Sequence, residues 1–272
     1  MASAKSRPNH SAYVETAGFL HGFDMSNIRL GPLLTTVLTK DMDRRILAPL
    51  DMKVLKIEEI NWIDILPCLS PLPLLSKLVL KDLPLRSIPS LAPLSNLLDL
   101  SLIDLVDMEH LPLGIGNAPV LRSLILRGLI ELQEFSTPLI DLLSSGLHPR
   151  RIRHLLIEKC GCRVPDEISK LVGIEDLWLE DSMDSRGTII FPEIGRTLTA
   201  LRNLTVIGYE CLGALPSDMS GLTSLVRLKV KNVGLHNFTS SIGQLTALRQ
   251  LILVNVDVEV VPEELGYSSI SR

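Results

Sequence analysis

Long apolar runs and aromatic residues are both scarce in this chain of 272 residues, of which only 4% are aromatic. No stretch approaches the roughly 18 consecutive apolar residues that a membrane-spanning helix requires. Residues 1–24 contain no apolar segment of the kind that marks a secretory signal peptide. These absences predict a protein that neither spans a membrane nor is secreted, and we therefore expect a cytoplasmic location.

A basic excess is also missing, because 31 acidic residues outweigh 27 basic ones and give a net charge of −4. Nonspecific binding of nucleic acid requires a strong positive surplus, so no nucleic-acid partner is expected. None of the cysteines forms a C-x-x-C pair, and we expect reduced structural thiols at Cys68, Cys160, Cys162 and Cys211.

The sequence lacks the motifs that carry catalysis or hold a cofactor. It contains no G-x-x-x-x-G-K-[ST] phosphate loop, no G-x-G-x-x-G, no G-x-S-x-G and no H-E-x-x-H. Its six histidines are scattered along the chain. We therefore predict no enzyme activity, no cofactor and no metal site.

What the chain does contain is one leucine motif, L-x-x-L-x-L, in nine copies. Their central positions are Leu55, Leu78, Leu100, Leu124, Leu155, Leu177, Leu204, Leu228 and Leu251. A repeat period in the low twenties is typical of a leucine-rich-repeat solenoid. The predicted fold is an α/β solenoid, a horseshoe with a parallel β-sheet on its concave side. A period this short leaves room on the convex side mostly for 3-10 turns and loops.

The repeats suggest three segments. Residues 1–46 carry no repeat and are expected to form an N-terminal segment or cap, 47–266 form the solenoid, and 267–272 form a short tail. An insertion at 138–147 has helical spacing of apolar residues and predicts a convex helix. No further repeat follows the ninth, so we expect either a fragment of a larger protein or a partner, or a second copy, at the open C-terminal end.

One position in each repeat separates classes of this fold. Extracellular plant receptor kinases usually keep asparagine three residues after the L-x-L pair. Here that position is mostly apolar, with Ile60, Leu83, Leu105, Leu129, Cys160, Ser182, Tyr209, Val233 and Val256. The unit at 204–225 resembles the repeat of plant intracellular nucleotide-binding leucine-rich-repeat immune receptors, with the pattern L-x-L-x-x-C-x-x-L-x-x-L-P.

That resemblance implies a non-catalytic sensing module that binds a protein partner through its concave face. It implies no switching by ATP or ADP, because the phosphate loop of those receptors is missing here. Two alternatives stay open: a cytosolic scaffold for a Ras-like GTPase, and a substrate-recruiting subunit of a ubiquitin ligase. The second alternative usually carries an F-box-like segment before the repeats, and residues 28–50 lack its pattern.

The x positions of the motif point away from the core and offer two candidate contact surfaces. The acidic patch surrounds Trp178 and consists of Glu175, Asp176, Glu180 and Asp181. The basic stripe lies in the eighth repeat and consists of Arg227, Lys229 and Lys231. Because buried aromatic residues dominate interface energies, we expect Trp178 to anchor a basic partner segment. The basic stripe is the alternative site, and a merely solvated surface is the third possibility.

Overall fold

A single parallel β-sheet organises the part of the protein that the structure describes. The structure is a computed structural model, and it describes residues 54–58, 74–88, 90–112, 115, 120–133, 135, 152–181, 193–209, 213–214, 218–237 and 240–256. Within these ranges the sheet has nine strands in the order β1-β2-β3-β4-β5-β6-β7-β9-β11. They are Val54–Glu58, Lys77–Lys81, Asp99–Ile103, Ser123–Arg127, His154–Glu158, Asp176–Glu180, Asn203–Ile207, Arg227–Val233 and Gln250–Val256.

The leucine motif sets the register of this sheet. The central leucine of each copy pairs with the central leucine of the next, as in Leu177 with Leu204 and Leu204 with Leu228. Because side chains alternate across a strand, this register places every L of L-x-L on one face. The predicted parallel sheet is confirmed.

The inward leucines form one continuous core. Leu177, Leu204 and Leu228 are 2%, 1% and 0% exposed, and the equivalent residues of the neighbouring described repeats are buried to the same degree. Full burial of a leucine side chain contributes about 1.5–3 kcal/mol, which a single repeat could not obtain alone. Stacking is therefore what stabilises each strand.

The convex side of the described repeats consists of turns and two short 3-10 helices, Asp166–Lys170 and Ser240–Gln244. Pro165 precedes the first helix with a φ of −76°, which its ring favours. The prediction of a convex side built from 3-10 turns and loops is confirmed. A small parallel sheet of β8 (Gly213–Ala214) and β10 (Leu235–Asn237) adds a feature that the sequence did not predict.

A left-handed residue recurs at the same place in eight repeats, two positions after the last apolar residue of the motif; it directly follows six of the strands and is the last but one residue of β9 and β11. It has a positive φ at Asp82, Asp104, Gly128, Lys159, Asp181, Gly208, Asn232 and Asn255. Aspartate, asparagine and glycine tolerate this conformation better than other residues. The backbone N–H of this residue donates to the next repeat, as Asp181 does to the carbonyl of Ile207 at 3.0 Å. The turn therefore extends the ladder beyond the strands.

Several predictions concern segments outside the described residues. These are the N-terminal segment 1–46, the helix at 138–147 and the tail 267–272. The solenoid boundaries at 47 and 266 also lie outside and stay predictions. Among the described residues, the helices are too short and too polar to cross a lipid bilayer.

Candidate functional site

The outward face of the sheet carries three parallel rows of side chains, one from each x position along the strands. The central row runs through Val79, Ser101, Ile125, Leu156, Trp178, Thr205, Lys229 and Ile252. Ile125, Leu156 and Trp178 are neighbours in this row and are each partly exposed. We call these three residues, in the middle of the face, the apolar strip.

Trp178 is held in place by two polar neighbours. Its indole Nε1–H donates a hydrogen bond to Oε2 of Glu180 at 2.9 Å. The Nζ of Lys229 lies 5.5 Å from the centroid of its ring, within cation–π distance. Thr205 occupies the strand between Trp178 and Lys229 and is only 8% exposed. The half-buried indole is thus fixed in one orientation before any partner arrives.

The carboxylates beside Trp178 already have partners on the protein itself. Glu175 pairs with the guanidinium of Arg153 at 2.8 Å. Asp176 accepts from the side-chain amide of Asn203 and lies 2.6 Å from Nδ1 of His154. The carboxylates of Glu175 and Asp176 are therefore already engaged by side chains of the protein itself.

On the neighbouring strand β5, the carboxylate of Glu158 is buried. The side chain of Glu158 is 10% exposed and its Oε1 lies 3.1 Å from Nε of Arg127. Burial raises the pKa of Glu158; Arg127 opposes this shift, while the adjacent Glu180 adds to it. Glu158 is thus a structural charge held by Arg127 beneath the rim of the face.

The basic stripe differs, because its cations have no acidic partner among the described residues. Arg227 donates from Nε to the neutral amide oxygen of Gln250 at 2.6 Å. Lys229 lies over the indole, and within the described ranges no ion pair includes Lys229, Lys231 or the exposed Arg202. Among the described residues, no carboxylate forms an ion pair with the cations at this end of the face.

The structure brings the two predicted surfaces together. The acidic patch lies on and next to β6 and the basic stripe on β9, with only β7 between them. Asp181 is the one residue of the acidic patch that lies in the turn after β6, where it occupies the left-handed position. A Cβ built on Gly208 would lie 1.4 Å from its Oδ1, so this carboxylate packs against the next turn. Arg153, His154 and Asn203 were not identified from the sequence as partners of Glu175 and Asp176. Their positions next to the leucines of the motif were the sequence feature that could have indicated it.

In the ranges that the structure describes, no group of three histidine, cysteine or acidic side chains is placed to hold a metal ion. Both described cysteines, Cys160 and Cys162, are buried and form no disulfide. Burial raises the pKa of the Cys160 thiol to about 12, while hydrogen bonding to the backbone of Leu129 and Glu158 opposes the shift. A thiol in this state is a packing group rather than a nucleophile.

Comparison with solved structures relates this architecture to a known fold. TLR13, in a complex with ssRNA13, superposes with a TM-score of 0.55 at 17% sequence identity, over 83% of this chain and 35% of TLR13. The chain has the leucine-rich-repeat fold. No protein-family model and no curated protein matches the sequence.

Two bacterial leucine-rich-repeat structures are also similar. A leucine-rich-repeat protein of Leptospira interrogans has a TM-score of 0.48 at 22% identity, over 79% of this chain and 63% of that protein. Internalin C2 of Listeria monocytogenes has a TM-score of 0.47 at 16% identity, over 80% of each chain. This chain thus spans less than two thirds of the Leptospira protein and about a third of TLR13. The likeness concerns the fold, and the resemblance to plant immune receptors stays a prediction.

Proposed function

We propose that the concave face around Trp178 recognises a protein partner, and that the chain is a non-catalytic sensing module of the kind found in plant intracellular immune receptors. The observation that carries this proposal is the fixed, half-buried indole in the centre of an open sheet. Trp178 is oriented by Glu180 and Lys229 and continues the apolar strip. An aromatic side chain that is already ordered loses little conformational entropy when a partner packs on it.

The surroundings of Trp178 match the anatomy of a protein interface. Apolar residues occupy the centre, and polar residues such as His154, Asp176 and Arg127 border it on both sides. Interfaces commonly combine an apolar centre with a polar rim, and their binding energy is concentrated in a few aromatic or arginine residues. A net charge of −4 favours a protein over nucleic acid as the partner, although the TLR13 structure contains RNA.

We also propose a cytoplasmic location. Cys160 is a buried thiol that forms no disulfide, as expected of a reducing compartment. Asn203 begins an N-x-T sequon, but its side-chain nitrogen donates to Asp176 on a packed sheet, which leaves little room for a glycan. Both features support a protein that does not pass through the secretory pathway.

The test is recovery of a binding partner by the full chain and by Trp178→Ala. Partners are captured from a cell extract, identified by mass spectrometry, and then purified for direct titration. We expect Trp178→Ala to weaken binding by about 2 kcal/mol, or roughly 30-fold in Kd, as for aromatic hot spots.

The matched control is Ile130→Ala, because Ile130 is 56% exposed but lies after β4, outside the concave rows. Its partner affinity should equal that of the parent. A partner that binds Trp178→Ala as tightly as the parent would place the contact elsewhere and overturn the proposal.

A further inference from the structure

The two charged surfaces beside Trp178 are not equally available to a partner. A basic segment approaching the acidic patch would compete with Arg153 for Glu175, and with His154 and Asn203 for Asp176. Lys231 and Arg202 form no ion pair within the described ranges, so an acidic group can approach them without displacing a partner from the protein. Among the described residues, Lys231 and Arg202 are therefore the charges that a partner can approach most readily.

We propose that the partner presents an acidic segment, whose carboxylates contact Lys229 and Lys231 while an apolar side chain of the same segment packs on Trp178 and Leu156. This inference rests on the proposed function and names the chemistry of its partner. It reverses the sign expected from the sequence, in which the acidic patch was the leading site and a basic segment its occupant.

The register of the sheet sets the spacing of that segment. Trp178, Thr205 and Lys229 are consecutive in the central row, so the backbones of Trp178 and Lys229 lie two strands apart, or about 10 Å at the usual strand separation. The Nζ of Lys229 reaches back to 5.5 Å from the centroid of the Trp178 ring. Because an extended chain advances about 3.3 Å per residue, a segment crossing the strands needs its apolar and acidic residues about two or three positions apart.

A second acidic residue next to the first would reach Lys231. This lysine lies two residues beyond Lys229 on β9, about 7 Å away along the strand. Arg202, exposed just before β7, extends the positive area towards the other edge of the face. The site therefore fits a short segment in which aspartate or glutamate lies two or three positions before or after an apolar residue.

A single-stranded nucleic acid fits the same surface less well. Its phosphates carry a charge at every nucleotide, and a strand stacked on Trp178 would pass Asp176 and Glu180 on β6. A peptide can place an uncharged residue at that point. The charge alternation between β6 and β9 thus favours a protein segment over a continuous polyanion.

The experiment selects peptides from a random displayed library on three forms of the full chain. These are the parent, the charge-reversed Lys229→Glu with Lys231→Glu, and a control with Arg86→Glu and Lys170→Glu. The control makes the same change in net charge at exposed positions outside the sheet. We expect the parent and the control to enrich peptides with an apolar residue two or three positions from an acidic one, and the charge-reversed form to enrich basic peptides.

Selected peptides are then titrated individually, with an oligouridylate as the nucleic-acid probe. We expect the acidic peptides to bind the charge-reversed form and Trp178→Ala at least about tenfold more weakly than the parent. The oligouridylate should bind the parent more weakly than these peptides do.

Three outcomes would overturn the inference. The parent could select basic or uncharged peptides that still require Trp178, which would leave the proposed function standing and reject only the acidic partner. The oligouridylate could bind more tightly than any selected peptide, which would assign the surface to nucleic acid. The selection could also yield no peptide that depends on Trp178 or on the lysines, and this result would count against the proposed function as well.

Discussion

Leu204 tests the architecture most directly, because it lies inside the leucine ladder with a described strand on each side. It is 1% exposed and pairs with Leu177 on one side and Leu228 on the other. Leu204→Ala removes three carbon atoms from the core while leaving the backbone hydrogen bonds of β7 in place. The change therefore isolates the contribution of packing between adjacent repeats.

The expected loss follows from burial and from the cavity that remains. Three buried carbon atoms at about 0.8 kcal/mol each account for roughly 2.4 kcal/mol of transfer free energy. The sheet on both sides prevents full collapse, so the cavity adds to this term, and the total loss should be about 2–5 kcal/mol. In a solenoid this loss weakens two interfaces between repeats at once.

The measurement is urea denaturation followed by far-ultraviolet circular dichroism, with the slope of the transition recorded as well as its midpoint. A lower slope for Leu204→Ala would mean that the repeats on either side unfold separately. The control is Leu74→Ala, the same chemical change at a leucine that is 43% exposed. It should cost no more than about 0.5 kcal/mol, as surface substitutions usually do.

Two results would refute the reasoning. The first is a loss below about 0.5 kcal/mol for Leu204→Ala, which would mean that this side chain is not packed between repeats. The second is an equal loss for Leu74→Ala, which would mean that exposure in the structure does not report packing.

Three further predictions concern the turn, the buried thiol and the buried carboxylate. Gly208→Ala should destabilise the protein by at least about 1–2 kcal/mol, because its φ of 79° disfavours a Cβ and that Cβ would lie 1.4 Å from Oδ1 of Asp181, which would have to move; urea denaturation would measure this loss. Cys160, with its pKa raised to about 12, should resist alkylation at pH 8 in the folded protein and react in urea. Peptide mass spectrometry would measure the extent of alkylation. If Cys160 in the folded protein were alkylated as fast as in the unfolded protein, its burial would be contradicted. Glu158→Gln should raise the free energy of unfolding at pH 7, because burial raises the pKa of Glu158 and so disfavours its charged form. When the pKa of a carboxyl group is higher in the folded than in the unfolded protein, its favourable contribution to stability is full at pH values below the unfolded-state pKa and is lost as the pH rises through the folded-state pKa. The advantage of Glu158→Gln should therefore disappear in acid. A variant that is less stable than the parent at pH 7 would show that the ion pair with Arg127 outweighs the cost of burial.

Much of the site was predictable because the strand register follows from the motif. The position of Trp178 between Leu177 and Leu179 was enough to place it on the outward face, and the structure has it there on β6. Its relation to Lys229 was not predictable in the same way, because these residues are far apart in sequence and meet only across β7. Which carboxylates are already paired depends on side-chain positions that a sequence pattern does not specify.

The left-handed turns were indicated by the residue types at a fixed position after each leucine motif, which the sequence analysis did not use. Seven of the eight positions are aspartate, asparagine or glycine, and Lys159 is the exception. Backbone conformation follows local residue preference, so this feature was readable in principle. Lys159 adopts the same φ because its N–H must still reach the carbonyl of Glu180 in the next strand.

The sequence by itself determined the fold of this protein, because a short period of leucines can be buried only by stacking parallel strands. It also determined which residues face outward, since alternation along a strand leaves one choice once the leucines face inward. The tertiary structure alone decided the electrostatics of that outward face. Arg153 forms an ion pair with Glu175, and His154 and Asn203 hold Asp176 from the strands on either side, while Lys229 joins the basic stripe to Trp178. The physical reason is that charges interact through distances of a few ångströms in space, and adjacent strands of a solenoid bring together residues more than twenty positions apart in sequence.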